Sequence, residues 1–116
     1  MIKNFYKPDS VNDAVKFLKN NILATPIAGG TFLSLHASKK ITSLVDLSSL
    51  NLDYIKKKSD SLVIGATTTF AQIADSKLFS PLTEITGNTA TEPLRNMITA
   101  GGNVMIPLRW SDLPLV

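Results

Sequence analysis

Two glycine pairs are the features of this 116-residue chain whose composition and setting suit them to chemistry. Gly29-Gly30 lies within Ala28-Gly-Gly-Thr-Phe-Leu33, and Gly101-Gly102 lies within Thr99-Ala-Gly-Gly-Asn103. Glycine reaches positive φ without penalty and carries no side chain, so a ligand can approach the main chain closely. Where such a turn opens a helix, its N–H groups and the helix dipole favour a phosphate or pyrophosphate. The chemistry open to these residues is therefore anion holding rather than proton transfer. Either pair taken alone also serves as an ordinary turn, with Thr99 and Asn103 satisfying their own backbone. Neither follows GxGxxG or GxxxxGK[ST], which argues against a Rossmann or P-loop site.

Composition removes most other chemistries. The chain has no cysteine, so it supplies no disulfide, thiol nucleophile, Cys-ligated zinc or iron–sulfur ligand. Its one histidine, His36, gives at most one ligand or base, and packing or surface is the simpler role for it. The acids show no spaced pair of the glycosidase kind. No catalytic side chain and no metal site are expected, so redox chemistry here requires a bound cofactor.

The net charge of +3 is unevenly spread. Residues 1–58 carry nine lysines against four aspartates, a balance of +5, whereas residues 59–116 come to −2. Scattered lysines without interleaved arginine or aromatics describe a solvated surface, and nucleic-acid binding is not expected. The longest uncharged run, 20–38, is interrupted by Pro26, Gly29, Gly30 and His36 and does not read as a membrane span. No apolar stretch of the secretory kind follows Lys3, so a cytoplasmic protein is expected.

The surrounding sequence predicts the elements that position the glycines. Asp9 and Ser10 precede an amphipathic helix over 11–20. A strand at 25–28 runs into Gly29-Gly30, and a helical turn follows from Thr31 to His36. A second strand is expected at 44–47, then a hairpin pairing 54–58 with 62–65 around a polar turn. Thr67 to Thr69 lead a short capped helix at 70–74, a broken helix is expected between Phe79 and Thr91, and the second glycine pair forms a loop. Residues 1–53 then form an N-terminal α/β lobe and residues 54–116 an incomplete α+β lobe. The apolar run Ser111 to Val116, with no cap after it, suggests a fragment or one piece of a larger assembly.

Five blocks in order, AGGTFL (28–33), LVDLSSL (44–50), LVIGATTTFAQI (62–73), PLRNMITAGGN (93–103) and SDLP (111–114), resemble the FAD-binding subunit or domain of the molybdenum hydroxylases. That group includes xanthine dehydrogenase and the carbon monoxide dehydrogenase medium subunit. The resemblance implies an α+β, two-lobed FAD-binding fold of the PCMH type, with a small parallel sheet in the first lobe, an antiparallel sheet beginning in the second, and FAD between them. It implies that Ala28, Gly29, Gly30, Thr31, Phe32 and Leu33 form one pyrophosphate loop and that Thr99, Ala100, Gly101, Gly102 and Asn103 form the other. Asp112, nine residues after Asn103, matches the flavin-contacting acid, and Arg95 and Asn96 match a loop-supporting pair.

The chain departs from the family at Phe32, where a small or polar residue is usual, and at Ala100, where isoleucine is usual. It also carries Arg109 and Trp110 where the family has small residues, and family domains continue well beyond SDLP. The function implied is an electron-transfer component carrying FAD, which takes electrons from iron–sulfur clusters to NAD or another acceptor. Its implied partners are a molybdopterin-binding large subunit and an iron–sulfur small subunit. A non-catalytic truncated remnant that only docks to subunits is the alternative, and an unfinished second lobe predicts self-association.

Overall fold

The computed structural model describes residues 2–36, 38–105 and 113. The side chain of His36 and the whole of Arg109, Trp110 and Asp112 lie outside what it describes. The chain divides into two units, Met1–Asn51 and Leu52–Val116.

In the first unit, strands β1 (Asn4–Tyr6), β2 (Ala24–Ile27) and β3 (Ser43–Asp46) form a parallel sheet in the order β1-β3-β2. Phe5 stands opposite Leu44, and Thr25 opposite Leu44 on the other side. The strand β1 is not apparent in the sequence pattern, because its three residues are mostly exposed. Helix α1 (Val11–Asn20) starts where the Ser10 hydroxyl accepts from the Asp13 amide at 3.1 Å. Asp13 in its first turn and Lys19 in its last both suit the helix dipole. At the far end the Asn21 side chain donates to the Phe17 carbonyl at 2.8 Å. Tyr6 and Phe17 stack with ring centroids 4.6 Å apart, and Ala14, Val45 and Pro8 are buried. Short helix α2 (Leu33–His36) follows β2 after the first glycine pair.

The second unit begins with a crossing that only glycine permits. Strands β4 (Ile55–Lys57) and β5 (Leu62–Ile64) form an antiparallel hairpin, with Ile55 opposite Ile64 and Lys57 opposite Leu62. Just past it, a Cβ on Gly65 would overlap the Leu52 carbonyl oxygen. The Gly65 amide donates to the Tyr54 carbonyl at 2.9 Å, and Thr67 donates to Leu52 at 3.2 Å. Thr68, 1% exposed, closes this junction: its hydroxyl accepts from the Tyr54 amide and donates to the Tyr54 carbonyl, each at 3.1 Å.

Helix α3 (Phe70–Ser76) follows, with Thr69 and Gln72 forming a reciprocal capping box. Its buried Phe70 and Ile73 form the core of this unit with Thr86 of α4 (Ser80–Asn88). The expected break between Phe79 and Thr91 does not occur. Pro81 falls in the first turn of α4, where no intrahelical N–H is lost, and Gly87 falls in the last. Thr86 and Thr89 donate their hydroxyls to the Leu82 and Ile85 carbonyls one turn back, at 2.6 and 2.7 Å, which lets an apolar helix face contain them. Helices α5 (Glu92–Arg95) and α6 (Ala100–Met105) complete the described residues of this unit.

Two glycines of this unit should respond oppositely to a methyl group. Gly65→Ala is expected to lower unfolding free energy by about 3 kcal/mol, since backbone must move to admit the side chain. Gly87→Ala places its Cβ in ordinary contact 3.6 Å from that of Ala74 and is expected to raise stability by about 0.5 kcal/mol. Urea unfolding of both variants checks the pair.

Candidate functional site

The first glycine pair lies directly beyond the carboxyl end of β2, the position where open parallel sheets receive ligands. The Ile27 carbonyl accepts from Leu47 at 3.0 Å and so fixes the strand end from which the loop departs. Gly30 sits at φ +71°, in the left-handed region, and its carbonyl accepts from the Ser34 amide at 2.9 Å to begin the helical turn. A Cβ there would come to 3.3 Å from Ile27 Cδ1. The amides of Gly29, Gly30 and Thr31 have no acceptor among the described residues. The loop therefore offers consecutive main-chain donors and no carboxylate, a donor set that suits a pyrophosphate.

The second pair is built differently, and here the expected loop is corrected. Gly101 and Gly102 lie inside α6 as its first turn. Thr99 and Thr69 form an antiparallel bridge, and around it Phe70 donates to Ile98 at 2.8 Å, Ala100 to Thr68 at 2.9 Å and Gly101 to Ala66 at 2.9 Å. The buried Thr99 caps the helix: its hydroxyl accepts from Gly102 at 3.2 Å and its carbonyl from Asn103 at 3.0 Å. Every amide from Ala100 to Asn103 is thus bonded within the protein. Gly101 is needed for the close crossing, because a Cβ would lie 2.9 Å from the Ala66 oxygen. Gly102 is exposed.

What this segment offers a ligand is bare surface at Gly102 and the Asn103 side chain. Asn103 Oδ1 accepts from the Leu113 amide at 3.0 Å, which assigns its nitrogen as the end with protons to give. Arg95 is a structural latch, its Nη1 donating to the Thr89 and Ala90 carbonyls at 3.1 and 3.2 Å. Ala90 has φ +53°, so the turn it holds is one that a non-glycine residue seldom adopts. Ala66 and Thr68 do not stand out in the sequence. Their only signal is a run of three threonines where one helix cap would suffice. Among the described residues no cluster of His, Asp or Glu is arranged to hold a metal, and no helix is long and apolar enough to cross a membrane.

A parallel sheet that ends in a glycine loop with free main-chain donors, and a separate hairpin-and-helix unit, make this an α+β chain whose first loop suits a nucleotide cofactor. All 116 residues match the family described as FAD binding domain in molybdopterin dehydrogenase. The chain is 30% identical over 121 residues to the glyceraldehyde dehydrogenase medium chain of Sulfolobus acidocaldarius, covering 97% of this chain and 43% of that one. Reconstituted CO dehydrogenase from Oligotropha carboxidovorans superposes with a TM-score of 0.86 at 29% identity, over 98% of this chain and 44% of its own. Quinoline 2-oxidoreductase from Pseudomonas putida 86 does so with 0.79 at 26% identity, over 90% and 39%. The chain belongs to the FAD-binding domain family of the molybdopterin dehydrogenases, an oxidoreductase family whose cofactor here is FAD. It spans less than half the length of these relatives.

The two α6 glycines are expected to differ in what they tolerate. Gly101→Ala forces the helix start away from Ala66 and is expected to cost about 2 kcal/mol of stability. Gly102→Ala, whose Cβ meets, among the described residues, only the Thr99 hydroxyl at 3.0 Å, is expected to cost less than half of that. Thermal unfolding of the two variants side by side measures the difference.

Proposed function

We propose that this chain holds FAD in the electron-transfer component of a molybdopterin-dependent dehydrogenase, taking electrons from iron–sulfur clusters and passing them to NAD or another acceptor. The observation that carries this is the first glycine loop, whose unengaged amides lie at a strand end in a chain that matches the FAD-binding family from its first residue to its last. FAD, when bound, supplies the electron-carrying chemistry, and the protein's part is binding, orientation and electrostatic tuning.

Ala28, Gly29, Gly30, Thr31, Phe32 and Leu33 would hold the pyrophosphate through main-chain donors. Thr99, Ala100, Gly101, Gly102 and Asn103 would meet the cofactor through the bare Gly102 surface and the Asn103 amide nitrogen. Asp112 would contact the flavin, as the SDL segment it belongs to suggests. These 116 residues contain no cysteine to ligate a cluster, so the iron–sulfur centres would lie outside them, on a small subunit, with the molybdopterin on a large one. The medium-chain description of the Sulfolobus relative supports the same division.

Titration of the purified chain with FAD, followed by flavin fluorescence and by the visible band retained after desalting, tests the assignment. Gly29→Val should weaken binding about tenfold or more, equivalent to about 1.4 kcal/mol, while leaving the melting temperature within a few degrees because the Gly29 backbone is not left-handed. A wild-type chain that leaves flavin fluorescence unchanged would move cofactor holding out of these residues and favour the subunit-docking alternative.

A further inference from the structure

Among the described residues, Asn103 is the member of the second glycine segment whose side chain reaches a distant part of the chain. Its Oδ1 accepts from the Leu113 amide at 3.0 Å, in a partly buried setting and across ten residues of sequence. The main chain of Asn103 is fixed separately, since its own amide donates to the Thr99 carbonyl at 3.0 Å inside α6. The side chain therefore extends from a fixed frame and holds a residue that lies well beyond it.

A carboxamide has two unlike ends. Committing Oδ1 to an N–H orients the whole group, because a flip would turn the Nδ2 protons toward the proton of Leu113. Nδ2 keeps both of its protons and meets no acceptor among the described residues. Leu113 belongs to the SDLP block, and its nitrogen is joined through a planar peptide unit to Asp112, the acid that would contact the flavin. A hold on that nitrogen restrains the peptide that carries both residues.

We infer that Asn103 is a positioning residue of the FAD site: through Oδ1 it ties the 111–114 block, at Leu113, to α6, and the same bond decides which end of its amide the cofactor meets. The inference rests on the FAD reading above and adds to it a division of labour within one side chain. The oxygen works on the protein and the nitrogen on the ligand. Aspartate at this position keeps an oxygen for Leu113 and removes only the donor, whereas alanine removes both.

The test uses the whole chain with isotope-labelled leucine, as wild type, Asn103→Ala and Asn103→Asp, the Leu113 signal being assigned by its loss in Leu113→Ile. Without FAD, hydrogen exchange of the Leu113 amide should quicken about fivefold or more in Asn103→Ala and stay near the wild-type rate in Asn103→Asp. With FAD, both variants should bind about fivefold or more weakly, but only Asn103→Ala should change the visible circular dichroism of the bound flavin, which reports placement of the ring rather than stability of the fold. Asn103→Leu, which matches the shape of asparagine without either polar end, repeats the alanine arm should alanine lower the melting temperature. Equal Leu113 exchange in wild type and Asn103→Ala overturns the inference whether or not FAD binds. A flavin signal that both variants leave unchanged, or that Asn103→Asp alters as much as Asn103→Ala, also overturns it, because the tether then has no part in placing the cofactor. A wild-type chain that protects Leu113 yet leaves FAD unbound overturns the FAD reading itself, and the positioning role with it.

Discussion

A backbone N–H has one proton to give, and where that proton goes separates the two glycine pairs of this chain. At Gly29 to Thr31 the strand has ended, the helical turn has only begun, and the left-handed Gly30 turns the chain before the amides can find acceptors within it. At Ala100 to Asn103 the same residue type has the opposite result, because carbonyls of Ala66 and Thr68 and both oxygens of Thr99 take up all four amides. An unsatisfied buried N–H costs free energy comparable to a lost hydrogen bond, so donors left free must face water or a ligand. The first pair is thus poised for an anion. The second pair forms a joint that lets two segments of backbone cross.

That joint organises the second unit. Residues 66–70 run past residues 98–101, and the Thr69–Thr99 bridge sets the starts of α3 and α6 side by side, each capped by a threonine of the bridge itself. A cap of this kind is worth about 1 kcal/mol. One residue earlier, Thr68 turns its hydroxyl the other way and fastens the same segment to Tyr54 at the base of the hairpin. Gly65 lets the chain pass the Leu52 carbonyl so that this fastening can occur. The hairpin, the α3–α4 pair and the α6 start are therefore held through a five-residue stretch, and a two-stranded hairpin that is marginal alone gains support from it.

Local signals made much of this legible in the sequence. Ser10 before an amphipathic run, Thr69 before Phe70, and Lys-rich and apolar segments flanking Ser59-Asp60-Ser61 each state their element within a few residues, and each element forms. Two of the misses share a cause, which is that the deciding partner is far away in sequence. Strand β1 exists because β3, some 39 residues later, gives three residues, two of them exposed, a ladder to join. The helical state of Gly101 and Gly102 depends on carbonyls some 35 residues upstream, and no pattern inside Thr99 to Asn103 reveals it. In α4, Pro81 and Gly87 are helix breakers by type but not by position, and the start of that helix is not visible because Phe79 provides no side-chain cap. The family resemblance was legible for a different reason: five short blocks in fixed order carry more information than any one of them.

The absence of reactive side chains is consistent with the same economy of means. A flavin already contains the redox chemistry, and a protein that holds it needs donors for its phosphates, room for close approach and a fixed frame rather than acids, bases or thiols. Both glycine segments have no charged residue of their own, so the main chain defines their electrostatics, and main-chain dipoles held in place cost no reorganisation when charge on a cofactor changes. The charged side chains, the lysine run of the hairpin among them, lie outside both glycine segments. A ligand at the first unit's loop is therefore read through backbone, and substitutions at charged side chains elsewhere leave those donor residues unchanged.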